Sequence, residues 1–266
     1  MQKEVLIEAL VCEWREAGIQ EGDTLLIHSN IQRTFKRYLR LGVRISAEDI
    51  LDSFLKAIGN SGTLLLPLFN FDFPRGKAFD IRNTPSHMGA LTEAGRAHPL
   101  AVRTGHPIYS FAVIGAKSQY FELVNNFSGY GGDSPFAMLR EMGGKIAVLN
   151  LPDASSMTYY HYVEEMHEVD YRYHKTFTGT YIDALGNKES KTYGLFVRNI
   201  QEGVLTYVEP AGELMWKSGL YSGNRPNEKS GLRVVASQQM YEFISDIIRS
   251  GAAKNILYQI NGKRNG

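Results

Sequence analysis

Thr158, His161 and Glu164 recur at intervals of three within Thr-Tyr-Tyr-His-Tyr-Val-Glu. On a helix this spacing puts them on one face, with the imidazole and the carboxylate within reach of each other. A carboxylate beside a histidine fixes the tautomer of the ring and raises its basicity, which suits a general base near neutral pH. On a solvated helix the same pair would be an ordinary surface contact. Position brings the chemical reading level with the surface one. The helix follows an apolar run at 145–151, so its start lies at the carboxyl edge of a sheet, where α/β proteins place ligands. His167 and Glu168, further on, read as solvated. His161 and His167 are six residues apart and lie on different faces, so no metal site is expected.

Polar groups stand at other strand ends. Leu26-Ile27-His28-Ser29-Asn30 closes one apolar run. Arg103-Thr104-Gly105-His106-Pro107-Ile108-Tyr109-Ser110-Phe111 leads into another. Hydroxyls and backbone N–H groups in such places can hold a phosphate or an amide chain. Ordinary turn chemistry is the alternative. Asp72 follows a third run, and an aspartate turn is its plainer reading. No Walker loop, G-x-G-x-x-G, G-x-S-x-G or H-E-x-x-H occurs.

The elements that must position these groups can be read from periodicity. Helices are predicted over 3–18, from a capping box at Ser46 and Asp49 to Gly59, over 88–98 up to Pro99, after the Ser134-Pro135 cap, over 154–169 and over 238–249. Strands are predicted at 24–28, 63–69, 109–114, 145–151 and 232–236. A hairpin over 176–183 and 191–198 turns at Leu-Gly-Asn. The alternation implies an α/β chain, a mixed β-sheet flanked by helices, in one domain over 1–266. Segments 30–45, 69–87 and 217–231 read as irregular. The first is basic, with Arg33, Lys36, Arg37, Arg40 and Arg44, and long irregular segments often carry function.

Composition narrows the class. With 29 basic and 28 acidic residues the net charge is +1, which gives no broad field for nucleic acid or an anionic membrane. The single cysteine, Cys12, allows neither an internal disulfide nor a cysteine-based zinc site. No segment has the roughly 20 apolar residues of a membrane span, and no apolar leader opens the chain. A cytoplasmic location is expected.

Taken together, the motifs resemble the aminoglycoside 3-N-acetyltransferase, or antibiotic N-acetyltransferase, family. Gly22-Asp23-Thr24-Leu25-Leu26-Ile27-His28-Ser29 is similar to its opening strand and loop. Gly62-Thr63-Leu64-Leu65-Leu66-Pro67 is similar to its second strand. Arg103 to Phe111 fits its Arg-x-x-His-Pro-x-x-Ser-Phe segment, and Gly132-Asp133-Ser134-Pro135 with Gly144-Lys145-Ile146 fits its turn and following strand. Thr158, His161 and Glu164 fit its Thr-x-x-His-x-x-Glu helix.

The resemblance implies acetyl transfer from acetyl-CoA, without a metal, to an amine on a sugar. His161, with Glu164, would remove the proton of the attacking amine, and Asp72 lies about one residue from a catalytic aspartate of some members. Ser29, Asn30, Arg103, His106 and Ser110 would line the CoA side. Asn70, Arg37 and Arg40 are assigned to the acceptor. The chain departs from the pattern in two ways. Asn30 stands where many members have serine, and Tyr193 to Asn199 lacks the acidic run that serves a cationic antibiotic. Together with the basic segment, this makes a nucleotide-linked amino sugar of surface-polysaccharide synthesis the expected acceptor. An aminoglycoside is the alternative, followed by a non-catalytic CoA- or sugar-binding relative. A homodimer is admitted, and neither nucleic acid nor membrane is an expected partner.

Overall fold

The computed structural model describes residues 3–261. The strands are β1 (Thr24–Ser29), β2 (Thr63–Pro67), β3 (Phe79–Asp80), β4 (Val102–Arg103), β5 (Phe111–Gly115), β6 (Lys145–Leu149), β7 (Arg172–Ile182), β8 (Lys188–Arg198), β9 (Val204–Thr206), β10 (Ser222–Gly223), β11 (Leu232–Ala236) and β12 (Tyr258–Ile260). The helices are α1 (Lys3–Glu16), α2 (Gln32–Arg40), α3 (Ala47–Ile58), α4 (Ala90–Ala97), α5 (Pro135–Glu141), α6 (Tyr159–Met166), α7 (Glu209–Lys217) and α8 (Ser237–Arg249).

Seven strands form a sheet in the order β10-β11-β6-β1-β2-β5-β4. Its centre is parallel, β6-β1-β2, and the strands on both flanks run antiparallel. The sheet is mixed and helix-flanked, as expected. Strand alternation divides the core in two. Leu25, Ile27, Leu64 and Leu66 face one side, with residues of α1, α3 and α4. Leu26, Leu65, Ile146 and Val148 face the other, with residues of α5, α6 and α8.

Local chemistry fixes several boundaries. Ser46 Oγ accepts from the Asp49 N–H (3.2 Å), and Asp49 Oδ2 accepts from the Ser46 N–H (2.8 Å), so α3 starts on a complete capping box. Such a cap is worth about 1 kcal/mol. Ser134 caps α5, with Pro135 in its first turn.

Other expectations change. The segment 30–45 is not irregular, because α2 occupies Gln32–Arg40. Only Thr34 and Tyr38, four apart, are buried there, and cations crowd the remaining face. The helix expected from 154 begins only at Tyr159. Asp153 instead anchors a 3₁₀ turn, accepting from Tyr160 and Tyr221 hydroxyls (3.0 and 2.9 Å) and pairing with buried Arg233. The hairpin is longer than expected, running from Arg172 to Arg198. It pairs with β3 in a separate three-stranded sheet rather than joining the main one.

Candidate active site

The α6 helix is the next helix after β6, reached through the 3₁₀ turn at Asp153–Ser155, and it carries His161 and Glu164. Glu164 is buried, and three donors meet it. His161 Nδ1 lies 2.8 Å from Oε2, Arg172 Nε lies 2.7 Å from the same oxygen, and the Tyr171 hydroxyl donates to Oε1 at 3.1 Å. A buried carboxylate needs such partners to stay ionised. Burial pushes its pKa up, but Arg172, His161 and Tyr171 hold it below the usual carboxylate range.

Arg172 Nη1 donates to the Phe196 carbonyl (2.9 Å), and Nη2 approaches His161 Nδ1 to 2.6 Å. Nδ1 cannot serve a carboxylate and a guanidinium at once. A proton on Nδ1 donates to ionised Glu164, and Nε2 then keeps the lone pair that a base needs. The sequence reading gave the neighbouring carboxylate the last word on basicity. In the structure burial and the Arg172 charge outweigh it, and the His161 pKa is lowered. The ring is therefore neutral at neutral pH and ready to accept a proton.

The His161 side chain is one-fifth exposed and lines a cavity of about 300 Å³ with Tyr109, Tyr130, Arg172, Tyr173, Lys175 and Arg198. The Tyr130 ring meets the imidazole edge-on at 5.4 Å. A second cavity, about 580 Å³, opens at the ends of β1 and β2. His28, Ser29, Asn30 and Gln32 line it, together with His87 and the start of α4 at Met88 and Gly89. It adjoins a cleft of about 430 Å³ that shares Asn30 and Gln32 and is walled by Arg33, Lys36, Arg37 and Arg40 of α2. His28 Nε2 is buried without a hydrogen-bond partner, and burial, with Arg233, pulls the ring down to a pKa of about 3. The Phe69 ring touches both regions, 6.2 Å from His28 and 4.5 Å from Tyr109.

The structure gathers some of the expected residues and disperses others. His161 and Glu164 meet. Ser29 and Asn30 share the second cavity, and Arg37 and Arg40 stand in the adjoining cleft, with Arg37 also paired to Glu13 (2.8 Å). Arg103, His106 and Ser110 do not line either cavity with them. Arg103 donates to the Ile81 and Thr84 carbonyls (3.2 and 2.6 Å) and to Ser110 Oγ. His106 is fully buried. Its Nδ1 accepts from the N–H groups of Ile108 and Tyr109 (3.2 and 3.0 Å), and its Nε2–H donates to the Gly194 carbonyl (3.3 Å).

Asn70 Nδ2 donates to the Pro85 carbonyl (2.9 Å), and its Oδ1 caps the Asp72 N–H. Asp72 pairs with Lys77 (2.9 Å) and Arg75 (3.7 Å). No hydrogen bond or ion pair joins it to His161 or Glu164 among the described residues. Sequence reasoning missed Arg172 and Tyr171, because neither residue belongs to a spaced motif. It also missed Tyr109 and Tyr130 as walls and the start of α4 beside His28.

Residues 26–248 match the family described as aminoglycoside 3-N-acetyltransferase. This chain belongs to that family. The sequence resemblance and the fold expected from it both hold. Within the family, aminoglycoside N(3)-acetyltransferase VII of Streptomyces paromomycinus is 28% identical over 169 residues. That match covers 56% of this chain and 56% of the relative, so the chain spans little more than half the length of the curated relatives it matches. Two solved structures share the fold. Aminoglycoside acetyltransferase AAC(3)-Xa is 21% identical, with a TM-score of 0.75 and 92% of each chain covered. AAC-IIIb, solved as a binary complex with CoASH, is 19% identical, with a TM-score of 0.74, covering 92% of this chain and 96% of its own.

Among the described residues no helix is long and apolar enough to cross a membrane. No group of three His, Cys, Asp or Glu side chains there is placed to hold a metal.

Proposed function

We propose that this chain transfers an acetyl group from acetyl-CoA to an amine of a sugar-like acceptor, with His161 as the base. The observation that carries this reading is the His161 imidazole, gripped by buried Glu164, in the wall of a cavity. The names of its relatives favour an aminoglycoside 3-amino group as the reference acceptor over the expected nucleotide-linked amino sugar.

An ammonium cannot attack a thioester until it loses a proton. His161 takes that proton on Nε2, and Glu164, ionised, steadies the imidazolium that results. Arg172 keeps Glu164 in place and ionised. The donor supplies the activated acetyl group when bound, so the remaining task of the chain is to position the two reactants.

The second cavity fits the donor. The start of α4 offers N–H groups to an anion, and Ser29 and Asn30 offer polar contacts. The α2 cations in the adjoining cleft are chemically suited to a diphosphate or a ribose phosphate. The basic segment is thus assigned to the donor, not the acceptor.

A thiol-release assay with acetyl-CoA and a panel of aminoglycosides and amino sugars tests the proposal. Release that depends on an amine and on His161 is expected. A chain that binds CoA yet releases no thiol with any acceptor would refute the reading.

A further inference from the structure

Most of the wall of the His161 cavity comes from the β7–β8 hairpin. Arg172 and Arg198 are direct cross-strand partners, so their side chains leave the same face. Like charges placed directly opposite each other destabilise a strand pair. Glu164 neutralises Arg172. Arg198 has only a long contact to the Thr206 hydroxyl, 3.4 Å away, and Lys175 lies over the Phe177 ring, 5.4 Å from its centre. Among the described residues neither Lys175 nor Arg198 forms an ion pair with a carboxylate, and no Asp or Glu lines this cavity. An acceptor that carried only ammonium groups would add like charges to this wall, at a cost of several kcal/mol when desolvated.

We infer that the cationic hairpin wall of the cavity, Arg198 foremost, binds an anionic group, a phosphate or a carboxylate, carried by the acceptor whose amine meets His161. This rests on the acetyl-transfer reading above. The Arg198 guanidinium offers a fork to two oxygens of such a group and the Thr206 hydroxyl adds a donor, while Lys175, three residues along from Arg172 and so on the other face of the strand, adds positive charge to the cavity rather than a shared contact. Tyr173 and Phe177 supply apolar faces for a sugar ring. The phosphates of the donor have their own cations on α2, in the adjoining cleft of the other cavity. The acceptor this wall favours is then an amino sugar that bears an acid group beside its amine, which departs from the unmodified aminoglycoside that the relatives' names make the reference.

A matched pair of ligands isolates the charge: glucosamine and glucosamine 6-phosphate, titrated calorimetrically into the whole chain. The phosphate should bind about tenfold or more tightly, and its advantage should shrink as salt is raised. In the Lys175→Gln/Arg198→Gln double variant the advantage should fall to about threefold or less, while the KM for acetyl-CoA stays within about twofold of the parent. Equal affinity for the two sugars, no binding of either, or an advantage that survives the double substitution overturns the inference. So does a larger rise in the KM for acetyl-CoA, which would give these cations to the donor. A phosphate advantage that vanishes in the double variant, with no thiol released by any acceptor, supports the anion site and removes the acetyl-transfer reading instead.

Discussion

His106 and His161 both sit in motifs of the same family, and both are surrounded by protein, yet the structure uses them in opposite ways. His106 spends every ring nitrogen on backbone. It accepts from two N–H groups of its own turn and donates to Gly194 on the hairpin. His161 gives one nitrogen to Glu164 and keeps a fifth of its side chain open to a cavity. A histidine with both nitrogens bound to the main chain builds the fold. One held from a single side by a carboxylate can exchange a proton. The same contrast separates Arg103, which ties the 79–84 segment to the loop before β5, from Arg172, which braces the base.

Mutation should pull the two regions apart. The largest effect belongs to His161→Ala, which should lower kcat by about 10²- to 10⁴-fold with little change in Tm or CoA affinity. Turnover within threefold of the parent would remove His161 from the mechanism and erase the contrast. Glu164→Gln should be the milder lesion. It keeps the shape but removes the charge that supports the imidazole, so the acidic limb of the pH–rate profile should move to lower pH. An unmoved limb would make Glu164 a structural partner of Arg172 and nothing more.

His106→Ala should do the reverse of His161→Ala. Two buried N–H groups lose their acceptor, each worth about 1–3 kcal/mol, while the folded fraction keeps its turnover.

The acid response sharpens the point. Burial pulls His106 down to a pKa of about 4 from an ordinary 6.5. Between those values the unfolded chain binds a proton that the folded chain refuses. Stability from this group is therefore full above pH 6.5 and is lost as pH falls toward 4, by about 3 kcal/mol in all. A denaturation series from pH 7 to 4 should be flatter for the His106→Ala chain, and parallel curves would contradict the assignment.

The smallest effect is expected at Arg40→Ala. The KM for acetyl-CoA should rise about threefold at low salt and less at high salt, with the acceptor KM unmoved. A rise confined to the acceptor would return α2 to the role first read from the sequence.

Much of this fold was legible because apolar alternation and caps are local. Thr24 to His28, the Ser46–Asp49 box and the Ser134-Pro135 start could each be read from a few neighbouring residues. α2 was not legible, since its buried pair, Thr34 and Tyr38, is submerged among four cations and a glutamine in nine residues. The late start of α6 depends on Asp153 meeting Arg233, which stands 80 residues away in sequence. The His161–Glu164 pair could be read from spacing alone. The guanidinium that completes it could not, because Arg172 reaches it by returning on a strand, and nothing in a lone arginine announces that turn.

The separate three-stranded sheet has a further consequence. The cleft proposed for the donor lies at the main sheet, whereas the cationic wall of the other cavity hangs on a hairpin attached to its own small sheet. Acceptor preference can thus be exchanged as a cassette. Replacing 173–198 by the equivalent hairpin of a relative that takes a polycation, while keeping Arg172 to brace Glu164, should redirect the enzyme and leave acetyl-CoA handling alone.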